Sequence, residues 1–172
     1  MGHPILRTRA KTVEAFDDPE LIRLVTDMKE TMLDAQGRGL AANQVYVPKR
    51  VVVYIPPEEN ENANEGPEEI TNIVVLINPE IEPLTDDIEN DWEGCLSVPN
   101  LRGVVPRITK IRLKAQNLSG EFIDEELSDY HARVVQHECD HLEGILYPMR
   151  MQNLETLIFE SEISHLSSAG EN

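Results

Sequence analysis

The chain has 172 residues, 40% of them hydrophobic and 27% charged, with a formal net charge of −17. That length can bury a core without disulfide staples and fits a single domain, 1–172. The acidic balance argues against general nucleic-acid or anionic-membrane binding, whose footprint is a basic patch. No run approaches the roughly 20 apolar residues of a membrane span. Met1–Arg7 lacks the apolar core of a signal peptide, so a cytoplasmic protein is expected.

In chain order, residues 17–36 read as the first helix. Asp17 or Asp18 caps it, Pro19 suits its first turn, and Leu21, Leu24, Val25, Met28, Met32 and Leu33 form an apolar stripe. Gly37 is expected to close it. The stretch Gly39-Leu40-Ala41-Ala42-Asn43-Gln44 lets backbone come close to a ligand or another strand. Gln44 reads as a buried amide that needs partners or a ligand. Arg50–Ile55 and Asn72–Ile77 are β-branched runs of strand type. Between them, residues 56–71 are rich in Pro, Glu and Asn and read as an acidic surface loop.

Trp92 to Pro99 contains Glu93-Gly94-Cys95-Leu96-Ser97, in which Cys95 is either a small buried hydrophobe or a metal ligand. Asn100-Leu101-Arg102-Gly103 is read as a turn. Lys110–Ala115 alternates charged and apolar residues as a half-buried strand, Asn117–Gly120 turns the chain, and Glu121–Leu127 returns as a short strand. A helix beginning near Ser128 or Asp129 then carries Gln136-His137-Glu138-Cys139-Asp140-His141-Leu142, with Gly144 as its stop signal.

That helix holds the chemistry. Two histidines four apart share one helix face, so both imidazoles can reach one metal ion. Glu138, rotated by about 100° from His137, suits a base that is not itself a ligand. Two histidines leave a ligand to be found. With no export signal, Cys95 and Cys139 are expected as thiols rather than a disulfide. After Tyr147-Pro148 a helix is predicted around Leu154–Leu166, followed by a frayed tail at 167–172.

Read together, the three blocks at Gly39–Gln44, Glu93–Ser97 and Gln136–Leu142 resemble the peptide deformylases, and the likeness extends from Pro4 to Arg150. The resemblance implies an α+β fold with short mixed or antiparallel strands around the H-E-x-x-H helix. It also implies a hydrolase that removes the formyl group from the N-terminal formyl-methionine of nascent peptides. By position it makes Cys95, His137 and His141 metal ligands, for Fe²⁺ with Zn²⁺, Ni²⁺ or Co²⁺ able to substitute. Glu138 becomes the proton carrier, and the Gln44 amide with the Leu96 N–H the oxyanion donors. Gly39 would bind the peptide as an added strand. Tyr130 and Val134, seven and three residues before His137, are expected to line the methionine pocket.

Two departures stand at the edge of the site. Asn43 replaces a frequent proline, and Tyr46 replaces a usual glycine, which predicts a locally different turn. A zinc endopeptidase with the same helix motif is the rival reading, but it needs a ligand further downstream than Glu143 and leaves Glu93–Ser97 without a role. A non-catalytic relative would have lost a ligand, and none is missing. Some deformylases dock on ribosomal RNA through a basic C-terminal helix. Here no Lys or Arg follows Arg150, while Glu155, Glu160, Glu162 and Glu171 do. Ribosome proximity is therefore expected to be transient, without direct nucleic-acid binding.

Overall fold

The computed structural model describes residues 1–57 and 72–167. Nearly all of the acidic stretch at 56–71 and of the tail at 167–172 lies outside the described residues. Helix α1 spans Pro19–Asp34, with the Asp18 carboxylate accepting from the Glu20 N–H as its cap, a bond that contributes about 1 kcal/mol. Strands β1 (Gly39–Ala41), β2 (Val51–Tyr54) and β3 (Val74–Pro83) follow. A long hairpin of β4 (Ile88–Cys95) and β5 (Val98–Ile108) comes next, then β6 (Lys110–Gln116) and β7 (Phe122–Ser128). Helix α2 spans Asp129–Leu142, with Ser128 before it as expected. Strand β8 (Ile158–Phe159) and helix α3 (Ile163–Ser167) end the described chain.

Among the described residues the strands form an antiparallel sheet in the order β1-β2-β3-β6-β7 and a second in the order β4-β5-β8. β2 explains the layering. All four of its side chains are buried, and alternate residues point to opposite faces. Val51 and Val53 pack with Leu21, Val25, Met28 and Met32 of α1. Val52 and Tyr54 pack with Ala132, Val135 and Leu142 of α2. The five-stranded sheet is thus clamped between two helices, and the α+β expectation holds. A third apolar cluster, including Leu6, Val98, Val105 and Tyr147, seats the smaller sheet.

The helix ends are fixed by backbone. At α2 the N–H of Ile145 reaches the Asp140 carbonyl at 2.9 Å, and that of Gly144 reaches His141 at 3.0 Å, a Schellman closure with Gly144 at φ 74°. α1 closes the same way, but Gln36 rather than Gly37 takes the left-handed position, at φ 53°. Tyr46 also sits in left-handed backbone, φ 66°, so the turn that a glycine would favour persists with a tyrosine in it. Its ring lies edge-on to His3, centroids 4.8 Å apart.

The structure adds to or corrects the sequence expectations at three places. Asn100–Gly103 is not a turn: it runs within β5, and the hairpin turns at Leu96–Ser97 instead. Asn100 spends its tolerance of positive φ (62°) inside the strand. Gly103 keeps space for Met151, whose sulfur would stand 2.5 Å from a Cβ there. Second, the acidic run before Cys95, to which the sequence assigns no element, is a strand, held by its ladder to β5 rather than by apolar alternation. Third, the helix expected over Leu154–Leu166 is broken. A 3₁₀ turn at Leu154–Thr156 gives way to extended Leu157, and β8 then pairs with β5 at Leu101 and Arg102. The open edge of β5 outcompetes helix propagation because each paired residue there gains ladder bonds and Leu157 packs on the third cluster.

Candidate metal centre and active site

The hairpin turn delivers Cys95 to the face of α2 that carries His137 and His141. The ligand atoms of these three residues all lie within 4.8 Å of one another, the one such group among the described residues. Cys95 Sγ is 3.3 Å from His141 Nε2. Both cysteines are free thiols. Cys139 is buried in the core around α2, and burial pushes its thiol up to about 12.

Glu93 sets the tautomer of His137. Its Oε2 lies 2.9 Å from His137 Nδ1, which makes Nδ1 the donor and leaves the Nε2 lone pair for a metal. The same carboxylate accepts from Arg107 Nε and Nη2 at 2.9 and 3.0 Å and from Arg133 Nη1 at 3.0 Å. Burial alone would raise the Glu93 pKa, but Arg107 and His137 outweigh it and hold the group down at about 2. Burial likewise favours neutral His137, against which its contacts with Cys95 and Glu93 raise it to about 10. His141 moves the other way, well below the ordinary histidine value, through burial and the charges of His137 and Arg107. A protonated His137 must lose its proton before it can ligate, so metal binding at this cluster is coupled to proton release.

The charge network continues to Asp140, which accepts from Arg107 at 2.5 Å and from Arg150 at 2.7 and 3.1 Å. Gln136 fastens α2 to the end of β5 by exchanging bonds with the N–H (3.2 Å) and C=O (2.9 Å) of Ile108. None of Glu93, Arg107, Arg133, Asp140 and Arg150 was singled out by sequence. One signal was available: Arg133, Gln136 and Asp140 lie on a helix whose every face is needed for packing, and buried charges there require partners.

Glu138 lies beside this centre, 5% exposed. Its Oε2 is buried with no hydrogen-bond partner, and burial raises its pKa to about 7. Gly39 makes the room: a Cβ there would fall 2.3 Å from Glu138 Oε1. The same Cβ would stand 2.7 Å from Cδ and 2.8 Å from Cγ of Glu138, so Gly39→Ala should displace the whole Glu138 side chain rather than its oxygen alone. We expect hydrolytic turnover to drop about tenfold to a hundredfold with metal content unchanged, read by activity and metal analysis on the same sample. Wild-type turnover in Gly39→Ala would show that the position of this carboxylate is unimportant.

Gln44 faces the cluster from the opposite wall. Its Oε1 accepts from the Ala41 N–H at 2.8 Å, which turns Nε2 toward Ser97 Oγ (3.1 Å) and Cys95 Sγ (3.7 Å). Asn43 is wholly buried and donates to the Thr8 carbonyl at 2.7 Å, tying down the N-terminal segment. A cavity of about 380 Å³ opens over the cluster, lined by Gly39, Gln44, Cys95, Leu96, Tyr130, Val134, His137 and Glu138 among others. The structure therefore brings together every site residue expected from sequence; His141 alone lies beneath the cavity rather than on its lining.

A thiolate and two imidazoles around one point, with a carboxyl group beside them, fit a divalent metal. The family model for polypeptide deformylase matches residues 1–157. The chain belongs to the polypeptide deformylase family. It is 48% identical over 155 residues to peptide deformylase 1 of Nitrosomonas europaea, covering 90% of this chain and 86% of that one. It is 51% identical over 153 residues to peptide deformylase 2 of Ralstonia nicotianae, covering 89% and 85%. Among solved structures it resembles the Thermotoga maritima deformylase (TM-score 0.77, 39% identity, 88% and 94% covered). It also resembles an Acinetobacter baumannii class I type b deformylase with Met-Ala-Ser bound (TM-score 0.76, 38% identity, 88% and 94% covered). Deformylases of this family remove the N-terminal formyl group from newly made proteins. Among the described residues no helix is long and apolar enough to cross a membrane.

Proposed function

We propose that this chain hydrolyses the formyl amide of N-formylmethionyl nascent peptides in the cytoplasm, as a single domain that uses Cys95, His137 and His141 to hold one metal ion. The observation that carries the reading is the convergence of those three donors next to a buried carboxyl group with an unpartnered oxygen. The ion, Fe²⁺ on the family resemblance with Zn²⁺, Ni²⁺ or Co²⁺ as substitutes, supplies Lewis acidity that polarises a carbonyl and acidifies a water.

The chain's own groups do the remainder. Glu138, near-neutral in its pKa, takes the proton of the attacking water and returns it to the departing amine. The Gln44 amide and the Leu96 N–H donate to the formyl oxygen as it gains charge, each contributing about 3 kcal/mol. Among the described residues β1 stands at the sheet edge, paired only with β2, which leaves the Gly39 strand open to an added peptide strand. That the Acinetobacter relative was solved with Met-Ala-Ser agrees with an N-terminal methionine peptide as occupant. Proximity to the ribosome is transient in this reading, because the C-terminal segment is acidic and its Leu157 is committed to the chain's own core.

Iron-loaded, anaerobically prepared protein should release one formate per Met-Ala-Ser from formyl-Met-Ala-Ser. No formate would overturn the reading, and cleavage of an internal peptide bond would favour the endopeptidase. Tyr130 and Val134 line the cavity, so Val134→Trp should fill it. KM for formyl-Met peptides should then rise at least tenfold while metal content stays at wild type. Unchanged selectivity among formyl-Met, formyl-Leu and formyl-Ala peptides would put the methionine pocket elsewhere.

A further inference from the structure

We infer that Arg38 gives the site a preference for substrates with an acidic side chain on the residues that follow the formyl-methionine. This rests on the deformylase reading and deepens it. The charged groups lining the cavity can be sorted by what they already bind. Arg133 is 3% exposed and committed to Glu93 and to the carbonyls of Val105 and Glu89. Glu93 is saturated by Arg107, Arg133 and His137. Arg102 places Nε and Nη2 on Glu160 Oε1, at 3.1 and 2.7 Å, where the chain returns past β8. Arg38 is different. It is exposed, lines the cavity, and its side chain takes no ion pair or hydrogen bond among the described residues.

Its backbone is nevertheless fixed. The Arg38 carbonyl accepts from Ile55 N–H at 3.0 Å, and the neighbouring Gly37 N–H closes α1 on the Met32 carbonyl at 2.8 Å. Gly39 then enters the ladder opposite Tyr54. The Cα of Arg38 therefore stands at a defined point beside the open edge along which a peptide would lie, with a side chain that has no ion-pair partner among the described residues. The chain's overall charge of −17 does not cancel it there, because screening limits exposed charges to a range of about 8 Å at physiological salt. Among the described residues that line the cavity, the exposed charge without an ion-pair partner is therefore positive, and its complement is a carboxylate on the substrate.

The test compares kcat/KM for formyl-Met-Asp-Ser against formyl-Met-Asn-Ser, and for formyl-Met-Ala-Asp against formyl-Met-Ala-Asn, with formyl-Met-Ala-Ser as the reference. In the wild-type holoenzyme at about 0.15 M ionic strength, at least one Asp/Asn ratio should be about three to five, the range of an exposed ion pair. The discrimination should fall on KM, because the carboxylate lies away from the reacting carbon. Arg38→Gln should bring that ratio to about one, Arg38→Glu should invert it, and Arg38→Lys should keep most of it. Raising salt to 0.5 M should flatten the wild-type ratio. Both ratios near unity in the wild type, or a ratio that survives in Arg38→Gln, would overturn the inference while formate release from formyl-Met-Ala-Ser leaves the deformylase reading intact. No formate from any peptide would overturn both.

Discussion

Glu138→Gln should leave the fold and the metal content intact while formate release falls by about three orders of magnitude. Glutamine keeps the shape of the side chain, so Gly39 still accommodates it, and it is neutral where the carboxyl group is already pushed up to about 7 by burial. Nothing is therefore lost in desolvation, and thermal stability should match the wild type or exceed it slightly. What is lost is the oxygen that can carry a proton. The check is metal analysis, Tm and single-turnover formate release on one preparation. A variant within tenfold of wild-type turnover would remove Glu138 from the role assigned to it.

Glu93→Ala should have the largest effect on stability. The carboxylate is the common acceptor for Arg107, Arg133 and His137, all of them buried or nearly so. Deleting it strands two guanidinium groups whose side chains are 5% and 4% exposed. Breaking a buried pair by removing one partner costs about 3–5 kcal/mol. It also frees the His137 ring, and loss of such an outer partner lowers metal affinity about tenfold to a hundredfold. Urea unfolding of the metal-free protein measures the first effect and competitive chelation the second. Glu93→Gln, which keeps the shape and some of the hydrogen bonds, should recover part of the stability but not all. A loss under 1 kcal/mol in Glu93→Ala would mean that Asp140 and solvent satisfy the arginines without it.

Much of the site was legible because its chemistry is local. His137, Glu138 and His141 lie within one helical turn and a half, and the helix announces its own ends through Ser128 and Gly144. β6 showed its alternation and β7 followed as its return strand, and Asn117 makes the turn between them by accepting from the Ser119 and Glu121 N–H groups. What sequence could not show is fixed by partners far along the chain. β4 shows no strand pattern in the sequence because its ladder and Glu93's arginines hold it, not an apolar face. The C-terminal segment has helical spacing but meets the free edge of β5. Tyr46 predicted a changed turn, yet the surrounding bonds impose the left-handed backbone on it anyway.

In the function proposed above, Cys95, His137 and His141 hold one metal ion on which formate release depends. The most direct measurement follows three signals during chelation and reloading of one sample: metal per chain, reactivity of the Cys95 thiol, and formate released from formyl-Met-Ala-Ser. One ion per chain is expected, with Cys95 protected until the ion leaves and activity lost and restored in step. Cys95 reacting freely in the loaded protein, or formate release persisting in the metal-free protein, would contradict it.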